Sequence, residues 1–348
     1  MMLASNLLSP LAALSARVGS DPLLVQGGGG NTSLKCDGQL WVKASGTWLA
    51  HAGDQDIFVR LPLDQVRAAL RHPDGEARLA LLPSGGGLRP SIETSLHALL
   101  PQAVVAHVHS VNTLAWAVRA NAQAELARRL AGLRWAWVPY RRPGYPLTQA
   151  VSAVLVEAGT APDILVLANH GLVVAAESCD AAEALLQEVE RRLAAPARRF
   201  PACDPARLQA VNDLDWRLAG NELVHGLGTD PIALQIARSG ALYPDHVVFL
   251  GAQAPVVPAD RMLSALIADA LASGAPAPIH ALVPGAGVLL APGASPGAEA
   301  MLECLALLTA RLPSADGLVY LDQNELAALT DWEAEAYRRS RDRVRTPA

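Results

Sequence analysis

Residues 104–111 read VVAHVHSV, with His107 and His109 one position apart in an otherwise apolar, β-branched run. In a strand, side chains two residues apart share a face. The two imidazoles therefore point together, their Cα atoms about 7 Å apart, while Val108 points the other way. A burying face would favour Val or Ile at both places. Either the pair is hydrogen-bonded within a core, or it converges on one ion. His170, in LANHGL, ends a predicted strand before a glycine turn. Alone it reads as a loop histidine; added to the pair, it supplies a third nitrogen. Three neutral ligands with an open position are the pattern of a catalytic zinc, which polarises a carbonyl or stabilises an enolate oxygen. Glu93, in PSIETSLH, precedes this pair in the chain. On a first helical turn it is expected to be exposed and favoured as an anion by the helix dipole. By itself it reads as a capping carboxylate; near a metal-bound carbonyl it can move a proton of the acidified carbon.

Three loops offer anion contacts. GGGGNTS (27–33) sets four glycines beside Asn31, Thr32 and Ser33, and glycine runs let backbone N–H groups curl around an anion. KASG (43–46) brings Lys43, Ser45 and Gly46, and GGGLRP (85–90) runs into Ser91. No GxxxxGK[ST] occurs, so none of these is a nucleotide-binding P-loop.

The elements that must carry these residues follow from periodicity and turn signals. Residues 4–18 alternate as a helix, and LLVQ (23–26) reads as a short strand. Asp37-Gly38 is a two-residue hairpin turn. A strand then leads into a helix opened near Asp64, and SIETSLHALL (91–100) is a helix that Ser91 can cap. Strand 103–111 is followed by one amphipathic helix through 132. Strand RWAWV, helix LTQAVSAVLVEAG, a strand–turn–strand over 163–176 and a helix with Ser178 near its start complete the first half. PARRFPACDPA (196–206) carries three prolines and marks a boundary. Beyond it come helices, strands around HALVPGAGVLLA, a helix at 297–311, a strand GLVYL and a terminal helix from about 323. The stretches 163–193 and 278–308 share one reading: strand, glycine turn, strand, small-residue break, helix. Gly171 falls opposite Gly287 and His170 opposite Ala286. The second half thus echoes the first without its histidine, through duplication or through two similar units in an Ala-rich chain.

Composition removes several classes. With 348 residues, 51% hydrophobic, the chain can bury a large core. No apolar run reaches the roughly 20 residues of a membrane helix. The apolar start lacks a basic segment and reads as a first helix, not a secretory signal. A net charge of −5 gives no nucleic-acid footprint, and the Arg-rich end RRSRDRVR (338–345) reads as a solvated helix tail. Cys36, Cys179, Cys203 and Cys304 lack CxxC spacing and fit a reducing cytoplasm. Of 28 basic residues only Lys35 and Lys43 are lysines, which leaves few candidates for Schiff-base chemistry.

The ordered set GGGGNTS, KASGTWL, PSIETSLH, HVHS, VPYRRPG and LANHGL, over roughly residues 5–195, resembles the class II aldolase/adducin family. That group includes metal-dependent fuculose- and rhamnulose-phosphate aldolases and ribulose-phosphate 4-epimerases. The later stretches LYPDHVVFLG, LVPGAGVLLA and LTDWEAEAYRRS are similar to the tail of longer aldolase domains, such as those fused to a short-chain dehydrogenase in some bacterial bifunctional proteins. The resemblance implies an α/β fold, three-layer α/β/α with a mixed, largely antiparallel central sheet. It implies a catalytic domain over 1–200 and a C-terminal α/β extension over 201–348 without metal ligands. It makes His107, His109 and His170 ligands of Zn²⁺ or another divalent metal. Glu93 becomes the acid/base carboxylate, and Asn31, Ser45, Gly46 and Ser91 contacts of a substrate phosphate, with Ser33 and Lys43 beside them. Tyr140, or Tyr145, becomes the proton donor to the leaving aldehyde. Two departures touch the phosphate contacts: Ile92 stands where a second serine is common, and only glycine precedes Asn31. The implied activity is a zinc-dependent lyase cleaving a ketose, as its 1-phosphate, to dihydroxyacetone phosphate and an aldehyde through a metal-stabilised enediolate. Epimerisation or 3-keto-acid phosphate decarboxylation on the same site is the alternative, and an adducin-like binding module without activity is the second. A cytoplasmic homo-oligomer acting on a small sugar is expected, with no nucleic-acid or membrane partner.

Overall fold

The computed structural model describes residues 2–82, 87–330 and 332–343. Strands β1 (Asn31–Cys36), β2 (Gln39–Lys43), β3 (Phe58–Pro62), β4 (Val104–Val108), β5 (Trp135–Val138), β6 (Ile164–Leu167) and β7 (Gly171–Ala176) form one sheet in the order β3-β2-β1-β4-β7-β6-β5. All its pairings are antiparallel except β5 with β6.

Period-2 alternation sends the two faces to different partners. On one face Val104, Ala106, Val108, Leu172 and Val174 pack with Leu11, Leu14, Leu114 and Leu186, from helices Met2–Gly19, Val111–Ala117 and Cys179–Leu193. On the other, Val105, Leu165, Leu167 and Val173 pack with Leu96, Leu147 and Val151, from helices Thr94–Leu99 and Tyr145–Ala158. The fold is thus the three-layer α/β/α arrangement with a mixed, largely antiparallel sheet. The parity of Val105 is also that of His107 and His109, so both rings lie on the face covered by Thr94–Leu99.

Three readings of local pattern give way to tertiary contacts. LLVQ is not a strand: Leu24 and Val25 turn back to the Asp21 carbonyl. The single helix expected after β4 is two, Val111–Ala117 and Ala122–Arg129. The break is held from afar, since Ala120 N–H donates to the Gly317 carbonyl and Val319 N–H to that of Val118. GLVYL spends its backbone on this crossing and forms only an isolated bridge, Arg119 with Leu318.

In the later half, β8 (Arg217–Leu218), β9 (His280–Val283) and β10 (Gly287–Leu290) make a small antiparallel sheet, β8-β10-β9. Its hairpin reproduces that of β6 and β7 in register. Leu167 pairs Gly171 and Ile164 pairs Val174; Val283 pairs Gly287 and His280 pairs Leu290. Both turns place a residue at positive φ, Asn169 at 50° and Gly285 at 73°. Both following helices are capped by serine, Ser178 on Ala181 N–H and Ser295 on Ala298 N–H. One apolar core joins the halves, Leu242, Tyr243, Met301 and Leu305 packing into the cluster that holds Leu114 and Val108.

Gly171 starts β7 where β4 passes close: a Cβ there would sit 2.4 Å from the Val108 carbonyl oxygen. Neither backbone can shift without opening the sheet beside His107. Gly171→Ala should destabilise the fold by about 1–3 kcal/mol in chemical denaturation, as overpacking does. Gly53→Ala, at a site with nothing within 4 Å, should stay within about 0.5 kcal/mol of the parent.

Candidate metal centre

His107, on β4, and His109, just beyond it, meet His170 from the β6–β7 turn, and one ligand atom from each lies within 4.8 Å of the others. All three rings are buried. The turn is shaped for this. Asn169 accepts a left-handed backbone that most residues avoid. Its side-chain amide donates to the carbonyls of Leu242 at 3.0 Å and Val319 at 2.7 Å. The C-terminal half therefore anchors the turn that presents His170.

Tautomers follow from the outer partners. His107 Nδ1 faces the Leu172 carbonyl at 3.1 Å, and His109 Nδ1 faces Asp245 Oδ2 at 3.1 Å. Both acceptors require hydrogen on Nδ1, which leaves a lone pair on each Nε2. These two Nε2 atoms stand 3.2 Å apart. Two lone pairs facing each other repel; a cation between them turns the conflict into coordination. Nitrogens sharing one tetrahedral ion at about 2.1 Å are roughly 3.4 Å apart, so the spacing fits a divalent metal. Two buried atoms without hydrogen-bond partners, Glu93 Oε1 and His170 Nδ1, belong to the same cluster.

Glu93 is buried, not exposed as expected from its place at a helix start, because its helix docks against β1 and β4. Its Oε2 is 3.3 Å from His107 Nε2 and its Oε1 is 3.6 Å from His170 Nε2. Burial pushes its carboxyl up, but the His107 and His170 rings and the Asn31 amide outweigh this and hold it at about 2. Burial lowers His170 to about 3 against the pull of Glu93, so the ring is neutral and able to bind a metal.

A polar relay fixes the carboxylate. Asn31 Nδ2 donates to Glu93 Oε2 at 2.8 Å, its Oδ1 accepts from His97 Nε2, and His97 Nδ1 accepts from the Ser33 hydroxyl at 2.7 Å. Burial, then the nearby Lys35 charge, holds His97 neutral, near 3. Ser33 thus lies behind the site and does not line it. Asn31, Lys43, Ser45, Gly46 and Ser91 do line the cleft beside Glu93. Lys43 Nζ donates to the Gly28 carbonyl at 2.9 Å, and burial and the Arg338 charge lower the amine to about 7. Of GGGLRP, Gly85 and Gly86 lie outside the described residues.

Tyr140 is not brought to the cleft. It packs against Val247, Leu326 and Leu329, and its buried hydroxyl has no hydrogen-bond partner. Tyr145 points instead to the His72 carbonyl. The two flank the turn at Pro143-Gly144, whose direction the sequence leaves open, and the C-terminal helices draw Tyr140 away.

The residues that sequence reasoning missed come mostly from the later half. Asp245, on helix Pro244–Leu250, holds His109, and Arg338, on helix Glu333–Arg343, forks onto Asp245 at 2.7 and 2.6 Å. Burial would raise the Asp245 carboxyl, but Arg338 and His109 keep it well below its ordinary value. The Arg-rich end is therefore no solvated tail at this position: the Arg338 side chain is only 11% exposed. His97, four residues after Glu93, carried a signal in helical spacing; Asp245 and Arg338 carried none.

Outer carboxylates that orient ligand histidines typically contribute 10- to 100-fold to metal affinity. Asp245→Asn should weaken Zn²⁺ binding by about that factor in competition with a chelating dye, with the circular dichroism spectrum preserved. Unchanged affinity would remove Asp245 from the site.

The chain matches the profile of the Class II Aldolase and Adducin N-terminal domain over residues 10–195, more than half its length. A curated relative, the uncharacterized oxidoreductase YuxG of Bacillus subtilis, is 32% identical over 193 residues. That match covers 50% of this chain and 28% of the relative, so the chain spans well under a third of it. Among solved structures, the N-terminal class II aldolase domain of a conserved Thermoplasma acidophilum protein is 28% identical, with 52% of this chain and 89% of that one covered and a TM-score of 0.46. The L-fuculose-1-phosphate aldolase of Thermus thermophilus is 20% identical, with 53% and 92% covered and a TM-score of 0.35. No helix among the described residues is long and apolar enough to cross a membrane. By the profile match across its first half, the chain belongs to the class II aldolase and adducin family.

Proposed function

We infer that this protein is a metal-dependent carbon–carbon lyase that splits a ketose into a smaller ketone and an aldehyde, with residues 1–200 as the catalytic domain and 201–348 as an extension that completes its cleft. The observation that carries this reading is the 3.2 Å approach of the His107 and His109 Nε2 atoms, each ring facing an acceptor through Nδ1, with the Glu93 carboxylate 3.3 Å from one of them. An ion held by His107, His109 and His170, with Zn²⁺ the natural choice for three imidazoles, would polarise the substrate carbonyl and offset the charge that grows on its oxygen. The remaining work falls to the chain. Glu93, a carboxylate in the free site, takes the proton of the hydroxyl that becomes the aldehyde as the carbon–carbon bond breaks and delivers it to the carbon that loses its partner, with the reverse order in the reverse direction. Asn31, fixed by His97, keeps that carboxylate aimed at the ring cluster. Lys35 is tied to the Gln102 carbonyl and is not among the residues lining the cleft, which leaves Lys43, held to the Gly28 carbonyl, as the lysine beside the histidines.

Protein stripped of metal should release no aldehyde from a panel of ketoses and ketose phosphates, and added Zn²⁺ should restore release. Glu93→Gln should retain the metal and lower kcat by about 10²- to 10⁴-fold, the usual weight of a positioned acid or base. Full activity in stripped protein would overturn the reading. An epimer or carbon dioxide in place of the aldehyde would move the same residues to the corresponding reaction.

A further inference from the structure

The loops that resemble a phosphate cradle do not stand open. Helix Glu333–Arg343, which lies outside the residues matched by the family profile, closes over them. Gly46 has Arg341 directly above it, where a Cβ would come 2.8 Å from the Arg341 Cβ. Gly28 has Arg338 Nε 3.9 Å from the same position. The helix also brings a carboxylate: Glu335 is 1% exposed and lines the cleft together with Asn31, Lys43, Ser45 and Ser91.

This helix is a fixed wall. Its Arg338 is the bidentate partner of buried Asp245, which in turn holds His109. Lifting it would leave Asp245 as a buried charge without its counter-ion, which is strongly destabilising. Further contacts hold its outer side, including Arg89 with Glu333 at 2.6 Å and Asp342 on the Gly297 N–H at 2.9 Å.

The ionisable groups lining the cleft are three carboxyls, Glu93, Asp245 and Glu335, and two basic groups, Lys43 and Arg338; burial raises the Glu335 carboxyl and the Arg338 charge pulls it back down. Arg338 spends its fork on Asp245 and touches Glu335 at 3.4 Å. A phosphate dianion would find only Lys43, and would face Glu335. Like charges a few ångströms apart in a buried site repel strongly, and the dianion of a phosphate monoester has no hydrogens to offer a carboxylate. A sugar hydroxyl both donates and accepts, so it can donate to Glu335 while accepting from Lys43, Ser45 or Ser91.

We propose that Glu335, carried into the cleft by the C-terminal helix, makes this subsite select the uncharged, hydroxyl-bearing end of an unphosphorylated ketose in place of a phosphate. The inference rests on the lyase reading for its reaction, and departs from the phosphate preference that the family resemblance implies. It assigns Glu335 as the specificity-determining residue and the helix Glu333–Arg343 as the element that changes the substrate class.

Two measurements test it. Zinc-loaded protein is assayed on matched ketoses and ketose 1-phosphates; kcat/KM should favour the unphosphorylated sugars by at least about tenfold. Separately, methyl phosphate, a monoester, is titrated by calorimetry into metal-free wild type and Glu335→Gln, a near-isosteric change that removes the charge and exchanges one acceptor oxygen for an N–H donor. The variant should bind methyl phosphate at least about tenfold more tightly than wild type, with unchanged thermal stability as the folding control. Preference for the 1-phosphates, or equal methyl phosphate affinity in the two proteins, overturns the proposal. If neither sugar series is cleaved, the lyase reading falls, and the calorimetric pair alone decides the charge of the subsite.

Discussion

Two imidazole nitrogens, each denied a hydrogen by the acceptor behind its ring, face one another at 3.2 Å. That repulsion is the constraint around which the site is organised. The Leu172 carbonyl and the Asp245 carboxylate set it up, and a cation shared between the rings would relieve it. Everything nearest the pair serves to keep the rings from turning away: the sheet pairing that backs His107, the left-handed Asn169 that presents His170, and the carboxylate of Glu93 between them. A buried network of this kind specifies its geometry well when every member is satisfied and is costly when one is not.

The network spans both halves of the chain. The Glu93 carboxylate is held from the N-terminal sheet, through Asn31, His97 and Ser33. The His109 and His170 rings are held from the later half, through Asp245 behind His109 and the Leu242 and Val319 carbonyls under Asn169. The same later half, folded onto the first through a shared apolar core, sends its last helix across the mouth of the cleft. The later half thus bears on the histidine cluster at three places: it orients His109, anchors the turn of His170 and supplies a wall of the cleft.

The β9–β10 hairpin shows how a backbone shape can be reused without its chemistry. It keeps the register of β6 and β7 and the positive-φ turn residue, yet Ala286 stands in the place of His170. Its function here is packing: Val288 and Leu290 enter the large core, and Leu289 enters a smaller one.

Local sequence determined a good deal. Strand alternation put His107 and His109 on one face, the Asp37-Gly38 turn set the first hairpin, and glycine and asparagine marked the turn of His170. These are short-range effects, written in the steric preferences of neighbouring residues. Ordered motifs also made the family and the three-layer fold legible. The interruption of the helix after β4, the loss of the LLVQ and GLVYL strands, the burial of Glu93 and the distance of Tyr140 were decided by contacts between remote segments, which local propensity does not encode. The clearest case is Arg338. Its surroundings in sequence are those of a solvated basic tail, because arginine is mostly exposed. It lies in the cleft because Asp245, 93 residues earlier, is buried there and needs a counter-charge, and only the packed structure brings the two together.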